Sequence, residues 1–199
     1  MLEKKPQNMG KGSVVVITAP SGAGKTTLAK KLLAEFEQLV FSVSATTRKP
    51  RAREVHGKDY YFFDRAEFEA HIAKGDFLEW EEFYNGSLYG TLRSDVENHI
   101  KNGYFVLFDV EVNGALNLKN VYGSSCLSVF IKPPSMQVLE SRLRSRGTES
   151  EETLSLRLER AQMELQQAGV FDAIVVNDDF DLAYTAVREL IISFTGCSY

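Results

Sequence analysis

The chain has 199 residues, 44% of them hydrophobic, which suits one compact unit with a substantial core. A net charge of −4 argues against general binding to nucleic acid or anionic membrane, so any basic cluster must act locally. The two cysteines, Cys126 and Cys197, have no metal or redox spacing, no apolar stretch approaches membrane-spanning length and no secretory leader is visible, so a reduced, cytoplasmic protein is expected.

Residues 1–11 are polar and read as a flexible tail. The β-branched run VVVIT at 14–18 has the composition of a buried strand. It leads into Ala19, Pro20, Ser21, Gly22, Ala23 and Gly24, and then Lys25, Thr26 and Thr27 open a helix. Strand, glycine-bearing turn, Lys-Thr and helix form the phosphate-binding pattern G-x-x-x-x-G-K-[ST], with Ala19 in place of the first glycine. A methyl group is tolerable at Ala19 if its φ is negative. Glycines let backbone N–H groups converge on a phosphate, and the helix start adds its positive dipole end. Lys25 can reach β and γ phosphates, and the Thr26 hydroxyl can ligate Mg²⁺.

A second apolar run follows at 39–43. Residues 44–58 lack hydrophobic periodicity and carry Arg48, Lys49, Arg51 and Arg53 around Pro50; they suit a solvated basic loop or a second anion site. An aromatic strand is expected at 59–63, then a helix at 65–74 capped by Asp64 and ended by Gly75. The alternating segment 77–83 reads as a half-buried strand bearing Glu79, Glu81 and Glu82. Asn85-Gly86 signals a turn, residues 87–89 a returning strand, and Thr91 or Ser94 the start of a helix to about Lys101. The whole of 44–100 thus reads as a small mixed α+β insertion.

The apolar strand 104–109 ends in Asp109, the form of a Walker B element whose carboxylate holds magnesium through water. A helix at 111–119, a strand at 126–131 stopped by Pro133-Pro134, and helices at 135–146 and from about 150 to 168 come next. A strand at 173–176 and a helix at 181–194 close the pattern. Short apolar strands alternating with helices predict an α/β fold, a three-layer P-loop architecture with a parallel sheet and helices on both faces. Gly22, Asp109 and Asn177 all fall at C-terminal strand ends, where such sheets place one shared phosphate site.

With those residues laid out, the chain resembles the guanylate kinase family over about 12–195. The resemblance is carried by SGAGKTT, FSVSATTRKPRAREVHGKDYYF, FLEW, Tyr89-Gly90, RGTE from Arg146 and VNDD from Val176. It implies a nucleotide-binding core (12–43, 101–133 and 169–197), a GMP-binding insertion (44–100) and a helical lid (134–168). It further implies that Arg48 and Arg51 clamp the GMP phosphate with help from the Tyr60 and Tyr89 hydroxyls, and that Ser44, Glu79 and Thr91 read the guanine. Arg142, Arg146 and Arg157 would come from the lid, with Asn177 near the adenine; Lys25, Arg48, Arg146 and Arg157 are the expected catalytic set.

The chemistry fits these roles. Guanine offers N1–H and N2–H side by side, which an ionised Glu79 accepts together, whereas adenine presents a lone pair at N1. Arginine forks suit a terminal phosphate. The GMP phosphate is itself the nucleophile, so alignment and charge neutralisation suffice without a general base. Where the family usually reads Asp-x-Asp-x-Gln-Gly, this chain has Asp109-Val110-Glu111-Val112-Asn113-Gly114. The longer Glu111 falls near the expected guanine and magnesium site, which leaves its contacts open.

The expected reaction is therefore ATP + GMP → ADP + GDP with Mg²⁺, dGMP being a further acceptor, by a monomer or homodimer with no nucleic-acid or membrane partner. One alternative is a catalytically silent guanylate-kinase-like binding domain, which typically lacks an intact phosphate loop and accompanies interaction modules not seen in this chain. Another is a kinase of a different nucleoside monophosphate, against which Glu79, Ser44 and Thr91 argue.

Overall fold

The computed structural model describes residues 14–83, 86–145 and 151–196. The expectations for residues 1–11 and for Arg146 concern positions outside them. Five strands form a parallel sheet in the order β2-β7-β1-β8-β9: β1 (Val14–Thr18), β2 (Leu39–Phe41), β7 (Phe105–Asp109), β8 (Cys126–Lys132) and β9 (Ala173–Val176). Alternation along these strands divides the core between the two faces. Val15, Ile17, Leu107 and Val129 face α1 (Lys25–Glu35) and α7 (Phe180–Thr195). Val14, Val16, Val106, Phe108 and Phe130 face α3 (Arg93–Lys101) and α4 (Val112–Tyr122). Both faces are covered, which explains why the strands read as unbroken apolar runs.

A second sheet, ordered β4-β3-β6-β5, contains β3 (Ser44–Thr46), β4 (Tyr61–Phe62), β5 (Phe77–Glu82) and β6 (Leu88–Leu92). It is mixed: β3 pairs with β4 in parallel and with β6 antiparallel, as does β5 with β6. Its core is small, with buried Ala45, Phe68, Phe77 and Leu88 packed under α2 (Arg65–Lys74). Helix α2 has the expected bounds for the expected reasons. The Asp64 carboxylate accepts from the Glu67 N–H at 2.8 Å, and Gly75, at φ 71°, turns the chain out of the helix.

Three local expectations shift. Ser44–Thr46 is a strand although its sequence has no period, because it is paired on both sides. The aromatic strand shrinks to Tyr61–Phe62, since the Asp59 carboxylate accepts from the Val55 N–H at 2.8 Å and holds that end in a turn. Thr91 lies inside β6, and the following helix begins at Arg93. Helices α5 (Met136–Ser145) and α6 (Glu151–Gln166) pack on each other through buried Leu139, Leu143, Leu154 and Ala161.

Candidate active site

The turn between β1 and α1 is tight at two glycines. Gly22 and Gly24 have φ of 94° and 95°, and a Cβ on Gly24 would collide with Asn177 Nδ2. A Cβ on Gly22 would lie 2.9 Å from Leu143 Cδ2, so α5 rests directly on this loop. Ala19 is buried, and no non-glycine among the described residues has positive φ, so its methyl group is accommodated without strain. Asn177, at the end of β9, is buried and donates to the Ala23 carbonyl at 2.7 Å; its amide braces the loop, and it lines neither the cavity at the phosphate loop nor the one adjoining it.

Pairing of β1 with β7 sets Ile17 opposite Asp109 and delivers that carboxylate to the start of α1. Asp109 Oδ1 lies 2.9 Å from Lys25 Nζ, and its Oδ2 accepts from the Thr26 hydroxyl at 2.9 Å. Lys25 also donates to the Val110 carbonyl at 2.9 Å and lies 3.8 Å from Glu111 Oε1. A cavity of about 370 Å³ opens here, lined by Ala19, Pro20, Ser21, Gly22, Gly24, Lys25, Thr26 and Thr27, with Phe41, Ser44, Tyr60, Asp109 and Glu111 opposite.

A second cavity, about 270 Å³, adjoins it and shares Ser44, Tyr60, Asp109 and Glu111. Its remaining walls are Glu79, Glu81, Phe83, Tyr89, Gly90, Val110 and Gly114. Strand register explains the grouping. Ser44 pairs with Thr91, and Thr91 with Glu79, so the three stand in one row across β3, β6 and β5. The buried Thr91 hydroxyl donates to Glu79 Oε1 at 2.6 Å. Beside it a Cβ on Gly90 would sit 2.9 Å from the Glu79 carbonyl and from Trp80 Cβ, so only glycine fits between β6 and β5. Gly114 leaves similar room, since a Cβ there would lie 3.1 Å from Glu79 Oε2. Burial pushes the Glu79 carboxyl above the ordinary carboxylate range; Thr91 opposes this and the charge of Glu81 adds to it.

The two expected phosphate arginines differ in placement. Arg48 is gripped end-on by Glu54: Nη1 and Nη2 each donate to one carboxylate oxygen at 2.9 Å, and Nη1 also donates to the Lys49 carbonyl at 2.8 Å. Its guanidinium lies 5.2 Å from the Tyr60 ring centroid, and the Tyr60 and Tyr89 rings meet edge to face at 6.1 Å. Glu54 holds Arg48 more firmly protonated than usual, while burial raises the Tyr60 phenol. Arg51 contributes its backbone N–H to Glu54 at 2.7 Å, but its residue is exposed and lines neither cavity.

From α6, Arg157 Nη1 donates to Ser21 Oγ at 3.2 Å and so touches the phosphate loop. Arg142 on α5 is half-buried and lines neither cavity, and Asn113 is exposed on α4. Glu54, Phe83, Arg160, Glu164 and Gly114 also belong to this neighbourhood, although the sequence reading assigned them no role. The available signals were slight: Glu54 follows Arg51 by three residues, and Arg160 follows Arg157 by three on one helix.

Among the described residues no group of three or more His, Cys, Asp and Glu side chains is arranged to hold a metal ion, and no helix is long and apolar enough to cross a membrane. Thr26 and Asp109 nevertheless present hard oxygen donors beside the phosphate loop, which suits magnesium, an ion usually bound by one or two protein ligands together with phosphates and water.

Known proteins agree with this architecture. The family model described as guanylate kinase matches residues 11–194. Guanylate kinase from Chlorobaculum tepidum is 50% identical over 188 residues, covering 94% of this chain and 96% of that protein. The protein of the same name from Salinibacter ruber is 48% identical over 185 residues, 91% of this chain and 98% of its own length. The crystal structure of guanylate kinase from Anaplasma phagocytophilum superposes with a TM-score of 0.74 at 32% identity, covering 94% of this chain and 88% of that one. A phosphate loop, an adjoining carboxylate-lined cavity and likeness over nearly the whole length lead to one conclusion: the chain belongs to the guanylate kinase family.

Proposed function

We propose that the chain transfers the γ-phosphoryl group of ATP to GMP, giving ADP and GDP, and accepts dGMP by the same base chemistry. The observation that carries this reading is the row Ser44–Thr91–Glu79 beside a cavity that shares four residues with the phosphate-loop cavity. In this assignment the loop backbone, Lys25 and Arg157 hold the donor phosphates. Arg48, Tyr60 and Tyr89 hold the acceptor phosphate; Arg51, exposed here, joins them only if its side chain swings inward. Glu79 accepts the guanine N1–H and N2–H, with Thr91 fixing one carboxylate oxygen and Ser44 beside them.

Thr26 and Asp109 hold magnesium in this reading, Asp109 through water, and the ion neutralises charge on the donor's phosphoryl oxygens when bound. Lys25 turns in this reading from Asp109 and Val110, which hold two of its three donors at 2.9 Å, toward those oxygens. Rate acceleration comes from aligning the two anions and spreading the charge of the transferring group over Lys25 and the arginines. Nucleic acid and membrane have no part in it, and a cytoplasmic monomer or homodimer is the expected form.

ADP formation from Mg·ATP with GMP, dGMP, AMP, CMP, UMP or dTMP tests the proposal. Turnover with the two guanine nucleotides alone is expected. Equal turnover with AMP would overturn the base assignment, and none with any acceptor would overturn the activity.

A further inference from the structure

Helix α6 presents two arginines, three residues apart, to different halves of the site. Arg157 touches the phosphate loop at Ser21. Arg160 faces the acceptor half: its Nη2 lies 3.6 Å from Glu111 Oε2 and 3.8 Å from Glu81 Oε1, and its guanidinium is 6.0 Å from the Phe83 ring centroid. Its Nε donates to Glu164 Oε1 at 2.9 Å, one helical turn on. Glu164 is only 6% exposed, so this pair aims the guanidinium outward from a fixed base. Glu81 and Glu111 both line the acceptor cavity, and each comes from a different element, β5 and the cap of α4. One guanidinium thus joins the lid helix, the core and the second sheet.

Glu111 has a second cation, Lys25, at 3.8 Å. That partner is the one withdrawn when Lys25 turns to donor phosphates. The Glu111 side chain, one methylene longer than aspartate, spans the space between Lys25 and Arg160, with one oxygen toward each.

We infer that Arg160 is a positioning residue for the acceptor: it holds Glu111 and Glu81 against the acceptor cavity once Lys25 is engaged by the donor, so that acceptor affinity survives donor binding. This rests on the ATP:GMP reading above. Because Arg160 acts through the carboxylates, its loss should appear in the acceptor's KM measured with donor present and leave most of kcat in place. A lysine there supplies a point charge that can serve one carboxylate at a time, so it should restore part of the effect.

The test is steady-state kinetics of wild type, Arg160→Ala, Arg160→Lys, Glu111→Gln and the double variant Arg160→Ala/Glu111→Gln, with GMP affinity measured by calorimetry with and without a non-hydrolysable Mg·ATP analogue. Arg160→Ala should raise KM for GMP about tenfold, change kcat by less than about threefold, and weaken GMP binding more with the analogue present than without it. Arg160→Lys should lie between, and the double variant should lose less than the sum of the two single losses. An unchanged KM for GMP, an equal fall in kcat, or additive losses in the double variant would overturn the inference while leaving the guanylate kinase reading intact. Wild type that neither turns over nor binds GMP would overturn that reading, and this inference with it.

Discussion

In the proposed site the phosphate loop offers an anion largely main-chain groups, and it follows a strand whose side chains are wholly buried: Val14, Val15, Val16 and Ile17 are all 0% exposed. On the second sheet the groups proposed to receive the acceptor are side chains. Ser44, Tyr60, Glu79 and Tyr89 stand on or beside short strands, over a core of four buried residues, and Arg48 is held by Glu54 rather than by packing. Phosphate chemistry is shared by every nucleotide, so a rigid backbone cradle serves it. Discriminating one base requires matched donors and acceptors, which only side chains in a chosen register supply.

The contrast can be broken most sharply at Lys25. In Lys25→Ala, kcat should fall by about 10³ or more, since a charge aimed at the transferring group is lost. Its KM for GMP should stay within about threefold of wild type. Next in size, Glu79→Gln should lower kcat/KM for GMP by about 10² to 10³, because an amide NH₂ would confront a guanine N–H. ATP affinity should be unaffected, and a panel of acceptors should show the selectivity for guanine collapsing.

Two smaller effects sharpen the comparison. Gly90→Ala should destabilise the fold by about 1–3 kcal/mol in denaturant unfolding, because the new methyl group meets backbone of the neighbouring strand. Gly169→Ala, where nothing lies within 4 Å, should change stability by less than about 0.5 kcal/mol. The smallest expected effect is on pH dependence. Burial raises the Glu79 carboxyl, so its contribution to folding is present in acid and lost as pH rises through the raised value. Base reading runs the other way: protonation removes an acceptor, so kcat/KM for GMP should fall as pH drops through the raised Glu79 value. The GMP phosphate has its own titration at about pH 6, and Glu79→Gln, which keeps only that transition, separates the two.

The same contrast decides what could be read from the chain before its structure. The donor half was legible because its signals are local: β-branched VVVIT, the glycine turn, Lys25-Thr26, and a strand ending in Asp109. Helix α2 was legible for the same reason, through Asp64 and Gly75. The acceptor half depends on pairing. Nothing in Ser44–Thr46 announces a strand, and the row that joins Ser44, Thr91 and Glu79 exists only when three strands meet in register. Glu54 and Arg160 were opaque because charged residues in a loop or on a helix read as solvated until a partner distant in sequence is known. The resemblance to guanylate kinases supplied the proposed acceptor residues, which period and propensity did not.

The most direct test of this division is calorimetric titration of GMP into nucleotide-free Lys25→Ala and Glu79→Gln, with wild type alongside. The account predicts that Lys25→Ala binds GMP within about threefold of wild type, while Glu79→Gln loses about two orders of magnitude. The reverse pattern, or equal losses in both, would contradict separate anion-holding and base-reading halves.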